Sequence, residues 1–101
     1  MSVTDVLIER NRQHLVGRES LPFAPTLRAI ILTCSDHRVD PAHVLSLAAG
    51  EAVVIRNAGG RVTPAAITDL AILATVGAIE GIGGGFELIV MQHTDCGTSR
   101  L

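Results

Sequence analysis

Residues 29–33, Ala-Ile-Ile-Leu-Thr, form an unbroken apolar and β-branched run that ends abruptly at the thiol of Cys34. Such a run is typical of a strand of a parallel sheet, which is buried on both faces. A second run, residues 88–91, is followed in the same way by His93 and Cys96. Ligands of open parallel sheets bind beyond the carboxyl ends of the strands. If the two strands are neighbours, the two thiols and the imidazole converge at that edge.

Helices are expected between the strands, because Asp40-Pro41 and Thr63-Pro64 each combine an N-cap residue with a proline suited to the first helical position. Alternation of strands and helices favours an α/β fold, with a three-layer arrangement of a parallel sheet flanked by helices. We expect a single domain over residues 1–101, with its α/β core at about 27–101. The predicted elements are a helix at about 3–16, a strand at 29–33, a short helix at 41–47, a strand at 51–56, a long helix at 64–79 and a strand at 86–92.

Composition restricts the class of protein. Apolar residues make up 48% and charged residues 18% of the chain, which is typical of a globular protein with a core. The net charge of −2, without a basic stripe, argues against a nucleic-acid partner. The N-terminus does not resemble a signal peptide, and the longest apolar stretch, residues 70–79, is too short to span a membrane. We therefore expect a cytoplasmic chain with reduced cysteines and no membrane partner.

Zinc is the metal that two thiols and one imidazole favour, so Cys34, His93 and Cys96 form a candidate zinc site. Each cysteine alone would more simply be a small buried apolar residue, and a disulfide between the two is a further alternative. His37 and His43 are weaker candidates as ligands, because His37 points away from its neighbours and His43 lies in the short helix.

Asp36 and Arg38 alternate with Cys34, so an extended backbone would point all three side chains to one side. Arg38 could then hold the Asp36 carboxylate with two hydrogen bonds and keep it ionised. Asp36 could instead become a fourth metal ligand, and the two arrangements exclude each other. A surface ion pair of little consequence is the simpler interpretation. Arg56, at another strand end, is expected to form a structural ion pair.

Two short motifs of the sequence match those of a known family. Residues 34–38 read C-x-D-x-R and residues 93–97 read H-x-x-C-G. Together with residues 41–45 and 50–59 between them, they resemble the β-class carbonic anhydrases. The resemblance covers residues 26–99 approximately and implies that family's Rossmann-like core.

The resemblance implies that zinc is held by Cys34, His93 and Cys96, and that Asp36 and Arg38 form the catalytic dyad. It also implies reversible hydration of carbon dioxide to bicarbonate and a proton. Hydrolysis of carbonyl sulfide or carbon disulfide on the same scaffold is an alternative. A non-catalytic zinc-binding remnant, with Asp36 as a permanent ligand, is another.

Members of that family are dimers or larger oligomers whose N-terminal helix reaches across to the partner, so the resemblance implies a homodimer here. Exposed strand edges and an incompletely apolar first helix lead us to the same expectation, with residues 3–16 packing on the partner. Family members also carry a further C-terminal part. The lack of that C-terminal part in this sequence implies either a fragment or a naturally short member.

Val53 and Ala58 are expected to form walls of the substrate pocket.

Overall fold

The predicted order of helices and strands is confirmed in the computed structural model, which describes residues 1–101. The chain alternates helices and strands and ends in a short 3₁₀ helix. The elements are α1 (Val3–Leu15), β1 (Ala29–Cys34), α2 (Pro41–Val44), β2 (Ala52–Asn57), α3 (Pro64–Ile79), β3 (Glu87–Met91) and the 3₁₀ helix η1 (Gly97–Arg100).

The three strands form one parallel sheet in the order β2-β1-β3, so the α/β fold with a parallel sheet is confirmed. β1 is the central strand, and its residues 31–34 are all buried. Its last residue, Cys34, pairs in register with Asn57 of β2, while Thr33 pairs with Met91 of β3. The Thr33 hydroxyl also donates to the Met91 carbonyl across 3.0 Å. The carboxyl ends of all three strands therefore meet at one edge.

The helices begin where the sequence predicts, because side chains satisfy their first free backbone amides. Asp40 accepts a hydrogen bond from the Ala42 amide at the start of α2, and Thr63 accepts one from the Ala66 amide at the start of α3. The prediction that α2 extends to residue 47 was wrong. The helix ends at Val44, and Ser46 adopts a φ of 50°, which lies outside the right-handed helical region.

Little of the molecule is buried: only 8 of 101 residues are, and half of them are residues 31–34 of β1. α1 has no buried residue, although it carries the apolar side chains of Val3, Leu7 and Leu15. None of the helices is long and apolar enough to cross a membrane. Much apolar surface of this fold therefore has no partner within the chain.

An apolar cavity of about 610 Å³ lies at the amino-terminal ends of the strands, beneath the second half of α3. Its walls include Ile30, Val53, Leu73 and Phe86. Val53 pairs with Ile30, four residues before Cys34, so the expectation that Val53 lines the pocket beside the cysteines was wrong. Val53 lines this apolar cavity instead.

Candidate metal centre

Three side chains from two strand ends converge at the carboxyl edge of the sheet. Cys34 is the last residue of β1, and His93 and Cys96 lie in the loop that follows β3. The ligand atoms of the three residues all lie within 4.8 Å of one another, and the two sulfur atoms are 3.8 Å apart. Both cysteines are free thiols, at a separation almost twice the length of a disulfide bond, about 2.05 Å. The disulfide alternative is therefore not the arrangement found.

The ring of His93 is oriented as a metal ligand would be, with one nitrogen free to coordinate. Its Nδ1 lies 2.8 Å from the carbonyl oxygen of Thr94, an acceptor, so Nδ1 carries the proton and Nε2 has a free lone pair. Nε2 is buried and has no hydrogen-bond partner. A buried polar atom without a partner is costly, so its position beside two thiols fits a metal ion in this group. The donor set of two sulfurs and one imidazole nitrogen suits zinc.

The glycine turn after β2 encloses the Cys34 sulfur. The Gly59 amide donates to Cys34 Sγ at 3.4 Å. A Cβ on Gly60 would lie 2.8 Å from the Cys34 amide nitrogen, so a side chain there has no room. The pKa of the Cys34 thiol is lowered, chiefly by the Asp36 amide and further by the Gly59 amide and the Cys96 thiol, against the opposing effect of burial. The Asp36 and Gly59 amides thus favour a thiolate, the form that binds metal.

Cys96 has a neighbour of its own that the sequence analysis did not identify. Its sulfur lies 3.0 Å from the hydroxyl oxygen of Thr98, in the first turn of η1. A hydroxyl can rotate to donate to a thiolate, so Thr98 can stabilise Cys96 in its ionised form.

Asp36 and Arg38 form the two-pronged pair that the alternation predicts. Arg38 donates from Nε to Asp36 Oδ1 at 3.0 Å and from Nη2 to Oδ2 at 2.7 Å, and its backbone amide donates to Oδ1 at 2.8 Å. These hydrogen bonds hold the pKa of the Asp36 carboxyl well below its usual range, with the side-chain bonds contributing most. They also raise the pKa of Arg38 above its usual range. In this structure Asp36 therefore has the arginine-bound arrangement, in its ionised form.

Asp95, which lies between the two candidate ligands after β3, is a second polar residue that the sequence analysis missed. Its Oδ2 accepts from Arg38 Nη1 at 3.1 Å, its backbone carbonyl accepts from Arg38 Nη2 at 2.8 Å, and its Oδ1 accepts from Arg100 Nη2 at 2.9 Å. No periodic signal in the sequence indicates these contacts, because the Arg38 contacts join loops 57 residues apart and the Arg100 contact joins a loop to a short 3₁₀ helix.

Arg56 makes its shorter hydrogen bonds to backbone carbonyls and only a longer contact to a carboxylate. It lies 3.8 Å from Asp40, as the expected ion pair requires, but its shorter contacts are to main-chain oxygens. Nε donates to the Cys34 carbonyl at 2.9 Å and Nη2 donates to the Asp36 carbonyl at 2.6 Å. Arg56 thereby fixes the backbone of the segment that carries Cys34 and Asp36.

The two weaker histidine candidates lie outside the group of three ligands. His37 has 91% of its side chain exposed, with Nδ1 3.7 Å from Asp36 Oδ1. His43 is exposed on α2. Ala58, a predicted pocket wall, is exposed beside Gly59 at the same edge of the sheet.

Comparison with known proteins indicates the family of the chain. A family model described as carbonic anhydrase matches residues 29–101. Beta-carbonic anhydrase 1 of Mycobacterium tuberculosis is 39% identical over 98 residues, covering 96% of this chain and 56% of its own length. A carbon disulfide hydrolase of Saccharolobus solfataricus is 40% identical over 73 residues, covering 72% of this chain and 33% of its own.

A crystal structure of carbonic anhydrase from Streptococcus mutans superposes with a TM-score of 0.79 at 40% identity, covering all of this chain and 58% of that one. The chain thus spans about half the length of the relatives that it matches. The matched segment includes both motifs and all three strands of the sheet. On this evidence the chain belongs to the β-class carbonic anhydrase family.

Proposed function

We propose that this chain binds zinc through Cys34, His93 and Cys96 and catalyses the reversible hydration of carbon dioxide to bicarbonate and a proton. The observation that carries the proposal is the buried, unpartnered Nε2 of His93 within 4.8 Å of two free thiols. The identity of 39% to a beta-carbonic anhydrase over 96% of this chain supports the choice of reaction.

Zinc held by these residues would act as a Lewis acid that acidifies water and so supplies a nucleophile. Two thiolates and one neutral imidazole would balance the charge of the ion. The Gly59 and Asp36 amides help Cys34 to lose its proton, and Thr98 can do the same for Cys96. The Nδ1 hydrogen bond of His93 to a carbonyl keeps Nε2 as the coordinating atom.

Asp36 has one oxygen with capacity to act on water. Oδ1 accepts two hydrogen bonds from Arg38, which use both of its lone pairs, whereas Oδ2 accepts only one. Because the carboxylate stays ionised, Oδ2 can accept a hydrogen bond from the reacting water and orient it. We therefore assign Asp36 as the catalytic acceptor and Arg38 as the group that holds it.

Carbon disulfide is the second candidate substrate, because a carbon disulfide hydrolase is 40% identical over 72% of this chain. Carbon dioxide fits better, since the match to beta-carbonic anhydrase 1 extends over 98 residues and includes α1. Both molecules are linear and apolar, so direct assays on each must separate them.

The proposal is tested by stopped-flow hydration of carbon dioxide with the zinc-loaded chain, beside a carbon disulfide assay on the same sample. We expect hydration by the wild type and a loss of about 10²-fold or more in the Arg38→Ala variant, with zinc content unchanged. Arg18→Ala, in the exposed segment that follows α1, is the matched control and should leave the rate unaltered. A zinc-loaded wild type without hydration activity would reject the proposal.

We also propose a homodimer in which residues 3–16 pack on the partner. The support is that α1 has no buried residue, although Leu7 and Leu15 are each 53–56% exposed. A chain that buries only 8 residues gains from covering such surface.

The cytoplasmic location expected from the sequence stays a prediction.

A further inference from the structure

Asp95 occupies the side of the Arg38 guanidinium that Asp36 leaves open. Asp36 takes Nε and Nη2, whereas the Asp95 carboxylate takes Nη1 and its own backbone carbonyl takes the second hydrogen of Nη2. Four of the five guanidinium N–H groups are then engaged. The plane of Arg38 is therefore fixed from both sides, although 49% of its side chain is exposed.

The backbone of Asp95 is arranged for this contact. Its φ is 55°, in the left-handed region that aspartate and asparagine tolerate better than most other side chains. Arg100 donates to Asp95 Oδ1 at 2.9 Å, which leaves Oδ2 directed at Arg38. A continuous chain of charges thus runs from Asp36 through Arg38 and Asp95 to Arg100.

We propose that Asp95 is a positioning residue that sets the orientation of Arg38, and through it the orientation of Asp36. The contact joins the loop after β1, which carries Asp36 and Arg38, to the loop after β3, which carries His93 and Cys96. Neither candidate sulfur ligand is a hydrogen-bond partner of Asp95, so Asp95 acts through Arg38. This inference rests on the proposed function for its kinetic consequence, whereas the placement of Arg38 stands independently of it.

The test measures the Arg38 side chain directly. In zinc-loaded, ¹⁵N-labelled protein, the Nε–H and Nη–H signals of Arg38 are assigned by their loss in Arg38→Lys. We expect slow hydrogen exchange and hindered rotation of the guanidinium in the wild type. Asp95→Gly removes the carboxylate without adding backbone strain at the positive φ. Asp95→Asn keeps the shape and one acceptor oxygen, and Asp69→Asn on the exposed face of α3 is the control.

We expect faster exchange of the Arg38 signals in Asp95→Gly, an intermediate effect in Asp95→Asn, and none in Asp69→Asn. In the carbon dioxide assay, kcat should fall by about 10-fold to 10²-fold in Asp95→Gly, with partial rescue in Asp95→Asn and zinc content unchanged.

Unaltered Arg38 signals in Asp95→Gly would overturn the inference. Loss of zinc in both variants would also overturn it, because Asp95 would then support the metal ligands instead. If the wild type does not hydrate carbon dioxide, the proposed function fails, while the Arg38 signals still decide the inference.

Discussion

At the scale of the residue, Arg38 holds the Asp36 carboxylate in one orientation and one charge state. Three donor groups of Arg38 surround its carboxylate, and only 11% of the side chain is exposed. Hydrogen bonds to the charged form stabilise that form, which is why the pKa falls. The carboxylate is therefore an acceptor throughout the neutral and mildly acidic range.

The lowered pKa makes a prediction about stability and pH. Unfolded Asp36 binds a proton near its ordinary pKa of about 3.9, whereas the folded form stays ionised well below that value. The stabilisation is therefore fully present above about pH 5 and is lost as the pH falls toward the lowered pKa. We expect the difference in urea midpoint between the wild type and Asp36→Asn to be constant from pH 7 to pH 5 and to shrink below pH 4. A constant difference down to pH 2.5 would contradict the lowered pKa.

At the scale of elements, the turn after β2 contacts Cys34 at the candidate metal centre. Gly59 donates to the Cys34 sulfur, and Gly60 packs directly against the backbone of β1. Gly60 also has a φ of 61°, so it combines left-handed backbone with a close approach. The turn can therefore lie against the end of β1 and donate to the Cys34 sulfur.

Gly60→Ala should therefore destabilise the fold by more than backbone strain alone. Gly81 is the matched control, because its φ is 66° but no atom lies within 4 Å of a Cβ placed there. We expect a cost of about 1–3 kcal/mol for Gly81→Ala from the positive φ, and a larger cost for Gly60→Ala from the contact with Cys34 and Thr33. Urea unfolding of both variants measures the difference. Equal costs would mean that the close approach is unimportant.

Elements and candidate ligands were predictable from the sequence to different degrees. The strands and the starts of the helices follow from local signals, namely β-branched runs and the two cap-proline pairs. The meeting of Cys34, His93 and Cys96 followed from one assumption, the adjacency of β1 and β3, which the sheet order bears out. Asp95 and Thr98 could not be found in this way, because their contacts depend on loop conformation and on a positive φ. The early end of α2 likewise depends on the backbone of one serine.

For the molecule as a whole, the main fact is how little of it is buried. Half of the buried residues belong to β1, whereas α1 has none and most of β3 and α3 is exposed. The apolar cavity of about 610 Å³ at the opposite end of the sheet adds to this uncovered surface. Association is the simplest way for this fold to cover it.

If the protein associates through α1, a charged substitution on that helix should lower the molecular mass measured in solution. Leu7→Glu should shift the protein toward the 10.6 kDa monomer at micromolar concentration, because it places a charge on the apolar surface of α1. Ser20→Glu adds the same charge at an exposed position outside residues 3–16 and should leave the dimer intact. Light scattering after size-exclusion chromatography measures both. A wild type that is monomeric under these conditions would reject the dimer.

The central claim is that Cys34, His93 and Cys96 bind zinc together, and X-ray absorption spectroscopy of the zinc-loaded chain tests it most directly. We predict one zinc per chain, with two sulfur atoms at about 2.3 Å and a histidine nitrogen at about 2.0–2.1 Å. In Cys34→Ser the two-sulfur signal should disappear and the zinc content should fall sharply. A wild type with no sulfur around its zinc, or a Cys34→Ser variant that keeps one zinc per chain with an unchanged spectrum, would contradict this account.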